Sequence, residues 1–488
     1  MPSSLELPQA TVRRRLLFYR CRLRQLAGGF DGTSEHSENA PQSSSHSAAR
    51  ADSRAMTPRA ALLVVACALA AGSAGGARPN PREGRLSLQP ERSQKTPSRA
   101  SLADWMAEDA ASLYARTLHE VTLPGTHDSG AYWLTKQTIP DARFPPAWAA
   151  AAIAAAERLG VPVDDIITKW ALTQSADVGA QLRAGFRYLD LRAGWNGTAW
   201  CVHHAEVGVA FGVVVADLAS FVKRHRGEFV VAQVSHLDGA PAGEKTRRVK
   251  ELKTFLKNAL RRHLVPVRVT GDGALELNDT IGEMVARDER VLVVFGDGDY
   301  SSRRANAPTR DDVDDVDDAF LWPPRALHNG WADTDNPEAL LRFAKEETIR
   351  FNAGGGGFGE PGSLFKLSWT LTAQTSTVLE SVLPGRPKSL RELDAAGARP
   401  ALAPFAERVA NAGCRASNIL SVDFARGSDA VRAARLMNAA SRDEPGKRKE
   451  QCGLTSLELT AKRDSATSRD SEAASREETE ARIAANRY

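Results

Sequence analysis

Through the middle of the chain, short apolar runs alternate with stretches whose apolar residues recur at helical spacing, the pattern a parallel α/β architecture requires. The apolar runs predict strands at His119 to Leu123, Phe186 to Leu191, Ala199 to Val202, Phe229 to Val234, Arg290 to Phe295, Leu364 to Trp369 and Asn418 to Val422. The helical spacing predicts helices at Val215 to His225, Glu244 to His263 and Pro400 to Ala412. No internal repeat points to a solenoid. The expected fold is a somewhat irregular α/β TIM-type barrel over residues 101–440, with disordered extensions at both ends.

The flanks lack this alternation. Residues 1–55 are rich in Arg and Ser without pattern, and read as unstructured or as an extension ahead of the true start. Met56-Thr57-Pro58-Arg59, the apolar run from Ala60 to Ala71 and the small residues through Ala77 have the charge, apolar core and exit of a signal peptide, so residues 56–77 predict export and a secreted location. Residues 78–100, rich in Pro, Ser, Arg and Gly, read as a linker, and 441–488 as a solvated or loosely helical tail. No apolar stretch suggests a membrane anchor for the mature chain.

Composition narrows the function classes. The 64 basic and 60 acidic side chains are intermixed, giving a formal charge of +4, so no basic stripe points to nucleic acid as the partner. Cys21, Cys67, Cys201, Cys414 and Cys452 lack zinc-site or CxxC spacing, and no cysteine-based metal or other cofactor is expected. If the first two are removed with the leader, at most one disulfide and one free thiol are left. Asp311 to Asp318 lacks the Gly and Glu spacing of a calcium loop and reads as a solvated acidic loop. The Ala-rich stretch Trp148 to Arg158, followed by Trp170, reads either as a lipid-contacting lid or as a surface helix packed on the barrel.

The chemistry gathers where predicted strands end. Leu123-Pro124-Gly125-Thr126-His127-Asp128-Ser129-Gly130 places a histidine just past the first predicted strand, in a turn opened by Pro and Gly. Phe186 to Arg192 ends a second in Asp190 and Arg192, Cys201-Val202-His203-His204 ends a third in two histidines, and Asn418 to Phe424 ends the last in Asp423. A barrel keeps its active site at that rim, and its first and last strands are neighbours. Asp423 is therefore placed to bond one ring nitrogen of His127 and leave the other as a base. Asp190 and Arg192 share a strand face, and the guanidinium offers a fork for phosphate oxygens. Two histidines, a guanidinium and an orienting carboxylate suffice for a metal-free phosphodiester site. His236 reads either as a candidate substrate contact beside Asp190 or as a packing or hydrogen-bonding residue; His203 reads as a structural neighbour.

These motifs resemble those of the bacterial-type phosphatidylinositol-specific phospholipases C and the eukaryotic X-domain proteins related to them. The resemblance spans about Leu102 to Asn438 and rests on the 123–130 signature, Thr173-Gln174 through Gly185 to Asp190-Leu191-Arg192, His203-His204, and Trp105-Met106 ahead of the first strand. It implies His127 as general base, His204 as general acid, Asp423 as the partner of His127, and Arg192 with Asp128 as the phosphate-stabilising pair. It also implies a phospholipid substrate at a membrane surface, cleaved to diacylglycerol and a cyclic inositol phosphate. Where the calcium-dependent branch has an acidic residue and an Asn, this chain has Arg192 and Asp128, which implies calcium independence. The expected His-Gly is His204-Ala205, Ser235 or His236 stands where a bacterial lysine is usual, and Gly296-Asp297 stands where an inositol-binding arginine is usual. Phosphate chemistry is thus better marked than inositol recognition; another phosphodiester headgroup and a non-catalytic binding barrel are the alternatives.

Overall fold

The computed structural model describes residues 102–139, 163–297, 319–354, 362–381 and 383–441. The proposed extension, signal segment, linker and tail, the stretch Trp148 to Arg158 and the acidic loop Asp311 to Asp318 lie outside the described residues.

The strands are β1 (Leu123–Thr126), β2 (Leu134–Thr138), β3 (Tyr188–Trp195), β4 (Trp200–His204), β5 (Glu206–Ala210), β6 (Val230–Asp238), β7 (Val291–Phe295), β8 (Leu327–Trp331), β9 (Leu364–Trp369) and β10 (Ile419–Val422). Parallel ladders run β8-β9-β10-β1-β3-β6-β7. Beyond β7 the ring continues through Trp322, which bridges Val294 in parallel shortly before β8 begins. The result is an irregular TIM-type barrel. The chain joins β3 to β4 through Asn196 to Ala199, too short for a parallel crossover, so β4 turns back antiparallel on β3 and is followed by β5 and β2 as a side sheet.

Two expectations are corrected here. The first strand begins at Leu123, where the predicted one ended, because Leu118–Glu120 forms a 3-10 turn with Thr117 and Glu120 as its capping box. Pro124 and Gly125 lie within the strand. Pro124 still accepts from the Arg187 N–H through its carbonyl, and a Cβ on Gly125 would meet Tyr188 Cδ1 at 2.7 Å. The third predicted strand is a hairpin arm rather than a barrel stave, so His204 reaches the rim from the side sheet.

Alternation along the staves sets the interior. On β3, Leu189, Leu191 and Ala193 pack outward with Phe211, Val214, Val215, Leu218, Phe221 and Val222 of helix α1 (Phe211–Arg224). Burying an aliphatic or Phe side chain contributes about 1.5–3 kcal/mol. Tyr188 faces the other way and joins Leu123, Val231, Leu292, Leu327, Leu364 and Ile419 in an apolar cluster within the barrel. One step toward the strands' C-terminal ends, polar groups replace apolar ones: Asp190, Arg192, Ser235, Lys366, Ser368 and Ser421. At the opposite end, Trp105 Nε1 donates to Gly185 O, and Glu228 accepts from the Met106 and Ala107 amides and from Arg187. Arg187 and Glu228 are fully buried. Among the described residues no helix is long and apolar enough to cross a membrane.

Candidate active site

His127 is the first residue past β1, and its amide donates to Val422 O, continuing the ladder with β10. The turn that follows is tied to β3: Ser129 N donates to Asp190 O, and Asp190 N donates to Ser129 Oγ. Asp128 occupies this turn with a left-handed backbone, φ +41°. Register places Asp423 directly after Val422, beside His127. His127 Nδ1 lies 2.9 Å from Asp423 Oδ1, so Nδ1–H donates to the carboxylate and Nε2 carries the lone pair. Arg192 Nη2 donates to that Nε2 at 3.0 Å.

His204 faces this pair from β4. Its Nδ1–H donates to Ala171 O at 2.6 Å, which turns Nε2 toward Asp128 Oδ2, 3.2 Å away. The two rings stand nearly perpendicular, 80°, with centroids 6.4 Å apart. Asp128 is the hub. It forms an ion pair with Arg192 and lies 3.5 Å from His127 Nε2 as well as against His204. All five side chains expected to carry the chemistry therefore meet in one cluster.

The charges have opposite effects on the two histidines. Burial alone would lower the His127 pKa, but the Asp128 and Asp423 carboxylates outweigh it and hold it above its ordinary value. For His204 burial dominates and lowers the pKa, with Asp128 offsetting only part. Burial would raise Asp128, yet Arg192 and the two histidines keep it below the usual range. Burial raises Asp423 despite the contact with His127. The two imidazoles are thus separated in basicity, with His127 the more readily protonated and His204 the less.

Asp190 and Arg192 share the inner face of β3, as alternation demands, but Asp190 is buried and lies 3.8 Å from Lys366 Nζ. Burial would raise the Asp190 pKa; the Lys366 and Arg192 cations more than reverse this. His236, at the end of β6, is open to solvent and adopts φ +55°. Partial desolvation by the surrounding protein, together with the Arg192 cation, holds its pKa below the ordinary histidine value. His203 donates through Nε2 to His236 O, the structural role expected of it. Trp170 is buried within the cluster that includes Phe343, Trp369 and Leu393, so the reading of it as a lipid-contacting indole is corrected to a core residue.

Lys366 is the member of this cluster that sequence reasoning missed. Its ammonium sits within the barrel between Asp190 and Gln233 Oε1, over the Tyr188 ring. The signal was a lone lysine in the otherwise apolar run Leu364-Phe365-Lys366-Leu367; a charge inside a doubly buried strand needs a buried partner.

His127, Asp128 and Asp190 bring ligand atoms within 4.8 Å of one another, a span that can hold a cation. The donor set does not fit one: the Arg192 guanidinium already lies against Asp128 and His127 Nε2, and Lys366 against Asp190. A divalent ion there would be repelled by both.

No family model matches the chain. The human PI-PLC X domain-containing protein 3 is 24% identical over 334 residues, which cover 68% of this chain and 91% of that protein. The human PI-PLC X domain-containing protein 1 is 25% identical over 330 residues, 66% of this chain and 87% of its own length. Among solved structures, the phosphatidylinositol-specific phospholipase C from Listeria monocytogenes aligns with 70% of this chain and 99% of its own, at 16% identity and a TM-score of 0.42. Over about two thirds of its length, the chain is similar in sequence to PI-PLC X domain-containing proteins.

Proposed function

We propose that the chain cleaves the phosphodiester of a phosphoinositide-type lipid by general acid-base catalysis, without a metal ion. The observation that carries this reading is the His127–Asp423 contact at 2.9 Å facing His204 across the Asp128–Arg192 pair. In the proposed reaction His127 Nε2 takes the proton of the inositol 2-hydroxyl, whose oxygen forms a new bond to phosphorus. The bond from phosphorus to the glycerol oxygen breaks, and His204 Nε2–H protonates the departing oxygen. Diacylglycerol and a cyclic inositol phosphate result. Attack from within the substrate gains from proximity, and Arg192 offers its fork to the charge that develops on the phosphoryl oxygens. As phosphate approaches, Arg192 exchanges its bond to His127 Nε2 for the anion, which frees the lone pair. Asp190 and His236 are proposed to border the headgroup, Asp190 through Lys366 and Arg192 rather than by open contact.

A phosphorus NMR assay over a panel of lipid headgroups, run with and without EDTA, tests this reading. Cyclic phosphate from phosphatidylinositol, at a rate unaffected by EDTA, is the expected result. Turnover of a different headgroup would keep the chemistry and replace the substrate; lipid binding without turnover would make the barrel a binding module. Loss of activity on chelation, restored by calcium, would overturn the metal-free reading.

A further inference from the structure

The segment Ala171 to Gln174 lies at the end of a helix (Val163–Ala171) and crosses the mouth between the ends of β1 and β10. Beyond the helical bonds at its start, such as Leu172 N to Thr168 O, its hydrogen bonds go to the acid-base cluster or to residues within three positions of it. Ala171 O holds His204 Nδ1. Thr173 Oγ1 donates to Asp128 O at 2.9 Å, and Thr173 O accepts from Phe424 N at 2.7 Å. Gln174 Nε2 donates to both His127 O, at 2.9 Å, and Val422 O, at 3.2 Å, while its Oε1 accepts from Ala425 N at 3.0 Å. The Thr173 and Gln174 amides close on Ala131 O. Both side chains are buried, so these bonds are shielded from competing water.

Two of the residues so held are strained. Asp128 and Phe424 have φ of +41° and +45° without being glycine, a conformation that costs on the order of 1–3 kcal/mol and persists only where its surroundings over-determine it. Each flanks a catalytic side chain, His127 on one side and Asp423 on the other, and each is bonded to Thr173. Gln174 spans the same two strand ends with a single amide. Only an amide at this position supplies two donors and an acceptor in the directions required.

We propose that Thr173 and Gln174 are positioning residues that fix the His127–Asp423 contact and the placement of Asp128, acting through main-chain carbonyls and amides rather than by touching substrate. The proposal rests on the acid-base reading of the site. A misplacement of about 1 Å at such a contact costs roughly 10²-fold in rate, so Thr173→Val and Gln174→Met should each lower kcat by about 10–10²-fold and change KM little, whereas Thr173→Ser, which restores the hydroxyl, should recover most of the loss.

Proton NMR of the protein without substrate supplies the readout that a merely structural role would not move. The charged groups facing the His127 ring are Asp423 after β10, Asp128 from its own turn, Asp190 and Arg192 from β3 and His204 from β4. In the intact protein the Nδ1–H of His127 should give a downfield resonance that is lost in Asp423→Asn. In Thr173→Val and Gln174→Met it should broaden, and the His127 titration midpoint should fall, because the Asp423 contact is part of what raises it. Thr173→Ser should keep both signals. A folded Thr173→Val or Gln174→Met with an unaltered resonance and midpoint would overturn the proposal, as would unchanged kcat. If Gln174→Met does not fold, the Thr173 pair decides by itself. If the parent protein turns over no phosphodiester, the acid-base reading fails, and the NMR arm still decides whether this dipeptide positions His127.

Discussion

Asp423→Asn is the substitution whose effect follows most closely from the geometry. The carboxylate accepts only, so it fixes the neutral His127 ring with Nδ1–H toward it and the lone pair on Nε2. An amide can turn its NH2 toward Nδ1, which then becomes the acceptor and leaves the proton on Nε2. That tautomer cannot take a proton from a hydroxyl, and its Nε2–H would face the Arg192 Nη2 donor, 3.0 Å away in the parent. The base is lost and the charge stabiliser is pushed aside. Loss of a general base costs about 10²–10⁴-fold, and both effects act together, so the upper half of that range is expected, about 4–5 kcal/mol of transition-state stabilisation. The assay is kcat/KM on a soluble phosphodiester, with nitrogen-15 spectra of the histidines to report the tautomer. A folded variant with near-parent rates, or with its proton still on Nδ1 and a large loss of rate, would refute this reasoning.

Other outcomes follow from neighbouring groups. Asp128 raises the pKa of both site histidines, so Asp128→Asn should lower both, and the whole pH profile of kcat/KM should move to lower pH; movement of one limb alone, or upward, would count against the site electrostatics. Lys366 and Asp190 are buried against each other. Lys366→Met should lose on the order of 3–5 kcal/mol in urea unfolding, and Lys366→Met with Asp190→Asn should recover much of it. Trp170→Ala should cost roughly 3–5 kcal/mol of stability because the indole is core, and should not reduce vesicle binding selectively.

What the sequence made legible follows from how each strand is buried. The runs at Val291–Phe295 and Leu364–Trp369 are buried on both faces, because helices cover one side and the barrel interior the other, so their apolar content marks them even with Lys366 and Ser368 inside the second. Leu327–Trp331 went unseen because its interior positions near the mouth are polar and its sequence, Leu-His-Asn-Gly-Trp, carries no run. The side-sheet strands Leu134–Thr138 and Glu206–Ala210 were missed as well, being short and partly exposed. The first strand was placed too early because Pro124-Gly125 reads as a turn, whereas Gly125 is there to admit Tyr188.

Of the candidate site, His127, Asp128, Arg192, His204 and Asp423 could be read because each follows or ends an apolar run. Lys366 was hidden inside such a run. The roles of Thr173 and Gln174 are carried by main-chain partners far away in sequence, which no local pattern records. The resemblance supplied their presence in the motif and not their contacts.

The central claim is that His127 and His204 do different work, one removing a proton and the other supplying it. The direct measurement is the rate of His127→Ala and of His204→Ala on two phosphodiesters that differ only in the leaving group, one that needs protonation and one that departs without it. Each variant should lose about 10²–10⁴-fold on the first substrate. On the second, His204→Ala should recover much of its loss while His127→Ala should not, because only the acid becomes dispensable. Equal recovery in both variants, or near-parent rates in a folded His127→Ala, would contradict the account.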